Sequence, residues 1–165
     1  MSTSTKKDIE LLSSKNGTGF PGTKEVIVAA SATLIYPGDP VAASLGGNAG
    51  TLMATNKPVV ATDFLHGIAY SKSTNTAALA GKVQVVPIDP DDVWLIDANN
   101  TTAFDTQAEY DALVGNRVLM DLTTSEYTIL AADGATHGCV IQPLDISRYP
   151  GKVAFSFRAG VSNLT

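Results

Sequence analysis

Three carboxylates, Asp89, Asp91 and Asp92, crowd the stretch VPIDPDDVWLID (86–97) beside Trp94, the chain's one tryptophan. Clustered oxygens could hold a hard cation such as Ca²⁺. A carboxylate pair facing across a cleft of about 5–10 Å could instead work on a glycosidic bond. The stretch lacks the glycine and the distal glutamate of an EF-hand loop. Pro87 and Pro90 hold the residue before each in extended backbone. The favoured reading is therefore a stiff interdomain joint built on Pro87, Pro90 and Trp94. Its acids face water, and the tryptophan anchors a core or a domain contact.

The remaining reactive residues are few. Cys139, the single cysteine, follows His137 by two positions, and side chains at i and i+2 of a strand share a face. A thiolate–imidazole pair would need something to orient the ring and lower the thiol pKa, and neither is evident. Cys139 reads as a small buried apolar residue. His66 follows DFL at a strand end. GTGFPG (17–22) spells the dinucleotide fingerprint, but a polar segment precedes it and a strand follows, so no helix end would meet a pyrophosphate. Serine is absent from any G-x-S-x-G elbow. These residues predict no enzyme, no metal and no cofactor.

The elements that must position these residues follow from composition and period. Charged residues make up only 16% of the 165, and the formal net charge is −5. That balance argues against nucleic acid, whose phosphates require Lys and Arg. No apolar run approaches the ~20 residues that span a bilayer, and the N-terminus has no apolar signal core. The expectation is a chain made in a cytoplasm without a signal peptide, with no membrane partner.

Residues 1–24 are polar and read as an extended arm, either frayed or ordered against a partner. Ile9, Leu11, Leu12 and Phe20 are its candidate contacts. From Glu25, short β-branched runs recur between Gly, Asn and Pro signals, as in a small barrel or sandwich. They are 25–34, 35–44, 51–55, 57–64, 66–73 and 82–88. In KVQVVPI, Val83 and Val85 take one face and Lys82 and Gln84 the other. A second block adds strands at 92–97, 117–123, 127–132, 138–146 and 152–159, the last two forming a hairpin. Its one helix, 106–114, has Thr106 as cap, Glu109 closing a capping box and Gly115 as terminator. Tyr110, Leu113 and Val114 form its buried stripe, and Asp105 is placed to favour the positive helix end. The expected architecture is all-β: an arm (1–24), a small β-barrel (25–88) and a second small β-barrel with a short helix (89–165). Domains this small bury a smaller fraction of their chain surface than larger ones and gain from packing on one another or on a partner.

The second block runs an aromatic strand (Trp94), a Thr-rich loop (Thr101, Thr102), a helix ending in Val114–Gly115, and a strand with Asp121–Leu122, before a late hairpin. It resembles the small β-barrel decoration, or cement, proteins on capsids of tailed bacteriophages. YPGDPVAAS (36–44) and VVATDFLHGIAYSK (59–72) are similar to the turn and strands of the same proteins. The resemblance covers about residues 25–165 and implies a structural virion protein on the outer capsid surface. It would bind the major capsid protein and neighbouring copies of itself, a trimer being favoured, bridge capsomers and stabilise the shell. Two alternatives stand beside it. One is a carbohydrate-binding module using Trp94, Tyr70 or Tyr149 as ring platforms; the other is a tail-tube or head–tail connector protein.

Overall fold

Lys24–Val28 places Val26 and Val28 inward and Glu25 and Ile27 outward, the alternation that a half-buried strand requires. In the computed structural model, which describes residues 9–14, 22–43, 49–99, 101–123 and 126–161, this is strand β2. β1 is Glu10–Ser13, β3 Pro40–Ala43, β4 Ala49–Leu52, β5 Leu65–Ala69 and β6 Gly81–Val86. β7 is Val93–Ala98, β8 Arg117–Val118, β9 Met120–Thr123, β10 Glu126–Ile129, β11 Cys139–Gln142 and β12 Lys152–Phe157. A 3₁₀ turn, Thr101–Phe104, precedes the α-helix α1, Gln107–Leu113. The chain is all-β with one short α-helix.

Strands β2–β4–β3–β5–β6 close into a five-stranded barrel, in which only the β2/β4 pair is parallel. Closure leaves no free edge. Val26, Val28, Ile35, Val41, Val83 and Val85 fill the interior, so β6 presents the face its alternation predicts. The second unit is an open, curled sheet in the order β8–β11–β12–β7–β10–β9. β12 runs along one edge of β7. The other edge is shared: β1 pairs with its first half and β10, in parallel, with its end. β7 is thus central, and Trp94, Leu95 and Ile96 are all buried.

The α1 signals act as expected locally. Thr106 Oγ accepts from the Glu109 N–H at 3.2 Å and donates to the Glu109 carboxylate at 2.7 Å. Tyr110 is the helix's buried residue, whereas Leu113 and Val114 are only partly covered. The Tyr110 hydroxyl joins the end of the β11/β12 hairpin, accepting from Ala154 N–H at 2.9 Å and donating to the Gln142 carbonyl at 2.8 Å. Asp105 has a competing partner that its sequence position does not show. A hydrogen bond shared with the Glu109 carboxyl holds Asp105 above its usual pKa and Glu109 below, while the backbone N–H groups at the helix end pull Asp105 the other way, as its position predicts.

Three boundaries also change. The run 25–34 is a strand only as far as Val28. The run 57–64 forms no barrel strand; it makes isolated bridges to Met120 and His137. Residues 10–13, inside the expected arm, are a strand of the second sheet, so that sheet draws on both sides of the barrel in sequence.

A candidate interaction surface at the domain junction

The segment following β4 is a strap laid on the second sheet. Tyr127 donates its hydroxyl to the Met53 carbonyl. Thr55 Oγ1 donates to Asp121 at 2.5 Å and accepts from Leu122 N–H at 3.1 Å. Met120 N–H bonds the Lys57 carbonyl at 2.8 Å, covering the outer edge of β9. After a cis Lys57–Pro58 bond, the Pro58 carbonyl accepts from Gly138 N–H at 2.8 Å. A Cβ on Gly138 would lie 2.5 Å from that oxygen, so only glycine permits this approach. Leu65 N–H closes the strap on the Val161 carbonyl at 2.8 Å.

Apolar contacts continue across the same boundary. Met53, Leu65, Ile68, Val86 and Ile88 of the first block share one core with Trp94, Tyr127, Phe155 and Phe157 of the second. A β-bulge makes this possible. Val41 pairs with Gly67 and Ala42 with Leu65, which leaves His66 without an opposite residue. Regular alternation would put Leu65 and Ile68 on opposite faces; the extra residue turns both toward the shared core.

The joint around residues 87–92 therefore does not act alone. Asp89 N-terminally caps a turn, its side chain accepting from Asp91 N–H at 2.9 Å and its carbonyl from Asp92 N–H at 3.0 Å. Pro87 and Pro90 are half-buried, Asp91 is exposed and Asp92 is buried. The expectation that all three acids face water is corrected for Asp92. The prolines do not set the angle between the units by themselves; the strap and the common core hold it.

His66 is buried inside the first barrel, its ring beside Gly50, Val26 and Val41. Among the described residues, neither ring nitrogen has a hydrogen-bond partner of normal geometry. Burial first, then the Lys24 ammonium, hold its pKa below the ordinary 6.5, with the Ala49 backbone pulling the other way. Between that ordinary value and the lowered one, the unfolded chain binds a proton that the folded chain refuses. Stability is then greatest above the unfolded pKa and is lost as pH falls through the folded value. Urea midpoints at pH 7.5 and 5.5 are expected to fall for the wild type and to fall less for His66→Leu. Equal drops in both proteins would show that another group sets the acid sensitivity.

The arm residues sit at the same junction. Ile9 is 3% exposed and belongs to the shared core, and Leu11 packs partly against it. They are ordered against their own chain, which corrects their assignment as free contact residues. Leu12 stays exposed. Phe20 lies outside the described residues. Between β1 and the barrel opens a groove of about 370 Å³, lined by Ile9, Leu11, Pro37, Ile68, Tyr70 and Trp94 among others. Trp94 is 2% exposed, its indole N–H finds no acceptor among the described residues, and its ring meets Phe157 edge-on at 6.4 Å. It lies in the core that the two units share, too deep for a sugar platform.

One exposed tyrosine lines the groove: Tyr70, at 59% exposure. Tyr36, the residue before the lining Pro37, is also exposed and carries the Lys72 ammonium 5.1 Å from its ring centre. The sequence reading overlooked Tyr36, although its place in YPGD, at a turn that must lie on the surface, was a usable signal. Tyr149 is partly buried against the shared core.

The other chemical candidates do not assemble. Cys139 is fully buried in the core, which pushes its thiol far above the usual range. His137 Nδ1 instead meets the Arg117 carbonyl at 3.0 Å. Among the described residues, His, Cys, Asp and Glu form no group of three that could hold a metal ion. Comparison with protein-family models, curated proteins and solved structures finds no match to this chain.

Proposed function

We propose that the chain is a decoration protein of a tailed-bacteriophage capsid, seated on the outer face of the shell and bridging neighbouring capsomers. The observation that carries this reading is the junction. Two small β units share one core and one strap, so they form one fixed body. A cement protein must transmit load between capsomers, and a hinge between its halves would defeat that. The groove between β1 and the barrel offers the coat protein an apolar recess with aromatic rims, the type of feature that anchors protein contacts.

The test is to add purified protein to expanded, undecorated shells of the phage that encodes it and to measure occupancy by cosedimentation and cryo-microscopy. Saturable binding with raised heat resistance of the particles is expected. Absence of binding to such shells would reject the proposal. The exposed Tyr70 at the groove favours one second reading, a carbohydrate-binding surface. A glycan array that responds to the wild type and falls silent on Tyr70→Ala would replace the first reading with this one.

A further inference from the structure

The end of the barrel around the β2–β3 loop and the loop before β6 is made of residues without charge: none of 28–35 or 73–81 is Asp, Glu, Lys or Arg. Two large apolar side chains project there. Leu79 is 68% exposed, and Ile27, on the outer face of β2, is 53% exposed. β2 and β6 pair Val28 with Gly81 and Ile27 with Lys82, so both side chains belong to the same end of the barrel.

This end is held rigidly. Ser31 ties the two loops together, donating its N–H to the Thr76 carbonyl at 2.9 Å and its hydroxyl to the Ala77 carbonyl at 2.7 Å. Beneath them, buried Ser73 accepts from Ile35 N–H at 3.0 Å and donates to Asn75 Oδ1 at 2.7 Å. Asn75 in turn donates to the Ala32 carbonyl at 2.8 Å. Thr76 Oγ1 accepts from the N–H groups of Ala78 and Leu79, at 3.3 and 3.0 Å. These hydrogen bonds fix the backbone of a loop that carries an exposed leucine. A loop ordered before contact loses less entropy on binding, which suits an anchor.

We infer that this end of the barrel is a self-association surface whose occupant is a second copy of the chain. The charge pattern selects that occupant. Each copy carries a net charge of −5, so copies repel most weakly where charge is absent. An ion pair, Lys82 to Glu25 at 2.8 Å, lies beside Ile27 at the edge of the patch. An acid and a base next to an apolar centre permit a self-complementary contact: each copy's Glu25 can meet its neighbour's Lys82. The inference is independent of the proposed function, because it is read in solution without any shell.

Sedimentation equilibrium of the full chain tests it. The wild type is expected to form a dimer or larger closed assembly at tens of micromolar. Leu79→Asp is expected to weaken association at least ~10-fold, the effect of losing an interface anchor, with an unchanged melting temperature. Leu79→Ser supplies the same test if the aspartate disturbs folding. Lys82→Glu alone should weaken association, and Glu25→Lys with Lys82→Glu should restore it. A wild type that stays monomeric, or an assembly indifferent to Leu79→Asp, overturns the inference. Failure of shell binding would leave it standing, and its failure would leave shell binding untouched.

Discussion

Replacing Gly67 with alanine is expected to unfold the first barrel, at a cost of about 4 kcal/mol or more. Gly67 sits at the bulge with φ of +154°, where side chains are rarely tolerated, and an added Cβ would lie 2.1 Å from the Val86 carbonyl oxygen. That oxygen belongs to the backbone of β6, so no side chain can swing aside to relieve the clash. Relief would require β5 and β6 to separate, which opens the barrel and withdraws Leu65 and Ile68 from the shared core. Far-UV circular dichroism and thermal melting should show a loss of cooperative folding or a very low melting temperature. Gly151→Ala is the control. Its φ of +72° imposes backbone strain, but nothing lies within 4 Å of an added Cβ, so it should cost only ~1–2 kcal/mol. Similar, small effects at both positions would show that the bulge can relax and that Gly67 is not required.

An Ile9→Asp variant is expected to release β1 from the second sheet. A carboxylate in this apolar setting would be far costlier than the contacts it replaces. The short strand can detach instead, which caps the loss at the docking energy of Ile9, Leu11 and the β1/β7 pairing, about 2–4 kcal/mol. For a chain of this length that lowers the melting temperature by roughly 5–15 °C. Release should also open the groove to water beside Trp94. Because Trp94 is the only tryptophan, its emission reports this directly: a red shift and easier acrylamide quenching, with the circular dichroism still native below the transition. Leu12→Asp, on an exposed neighbour in the same strand, should leave both readings near wild type. Unshifted Trp94 emission in Ile9→Asp would mean that β1 is not what shields the indole. Under the proposed function, the same variant should bind shells more weakly than Leu12→Asp does.

Local chemistry made part of this protein legible in its sequence. KVQVV alternates because a strand with one wet face must, and Val83 and Val85 do line the barrel. Thr106 and Glu109 three residues apart form the α1 cap because the first turn of a helix leaves its own N–H groups unpaired. YPGD reads as a turn from its proline and glycine. The all-β class followed from many such short signals. Each depends on neighbours within a few residues, which a sequence displays.

Tertiary structure decided whatever depends on a partner far along the chain. IELLS looks like a frayed arm until β7 supplies an edge and the shared core receives Ile9. KPVVATDF has the composition of a strand, yet the carbonyls of Met53, Lys57 and Pro58 are claimed by Tyr127, Met120 and Gly138, so it becomes a strap. Alternation puts Trp94 and Ile96 on one face of β7 and Leu95 on the other, yet all three are buried, because β7 is central and both its faces are covered. Asp92 reads as a surface acid and is buried where the chain enters that strand. Composition specifies how much apolar surface must be hidden. Which face hides it is set by the element that arrives from elsewhere, because burial is a property of the assembled contact rather than of the residue.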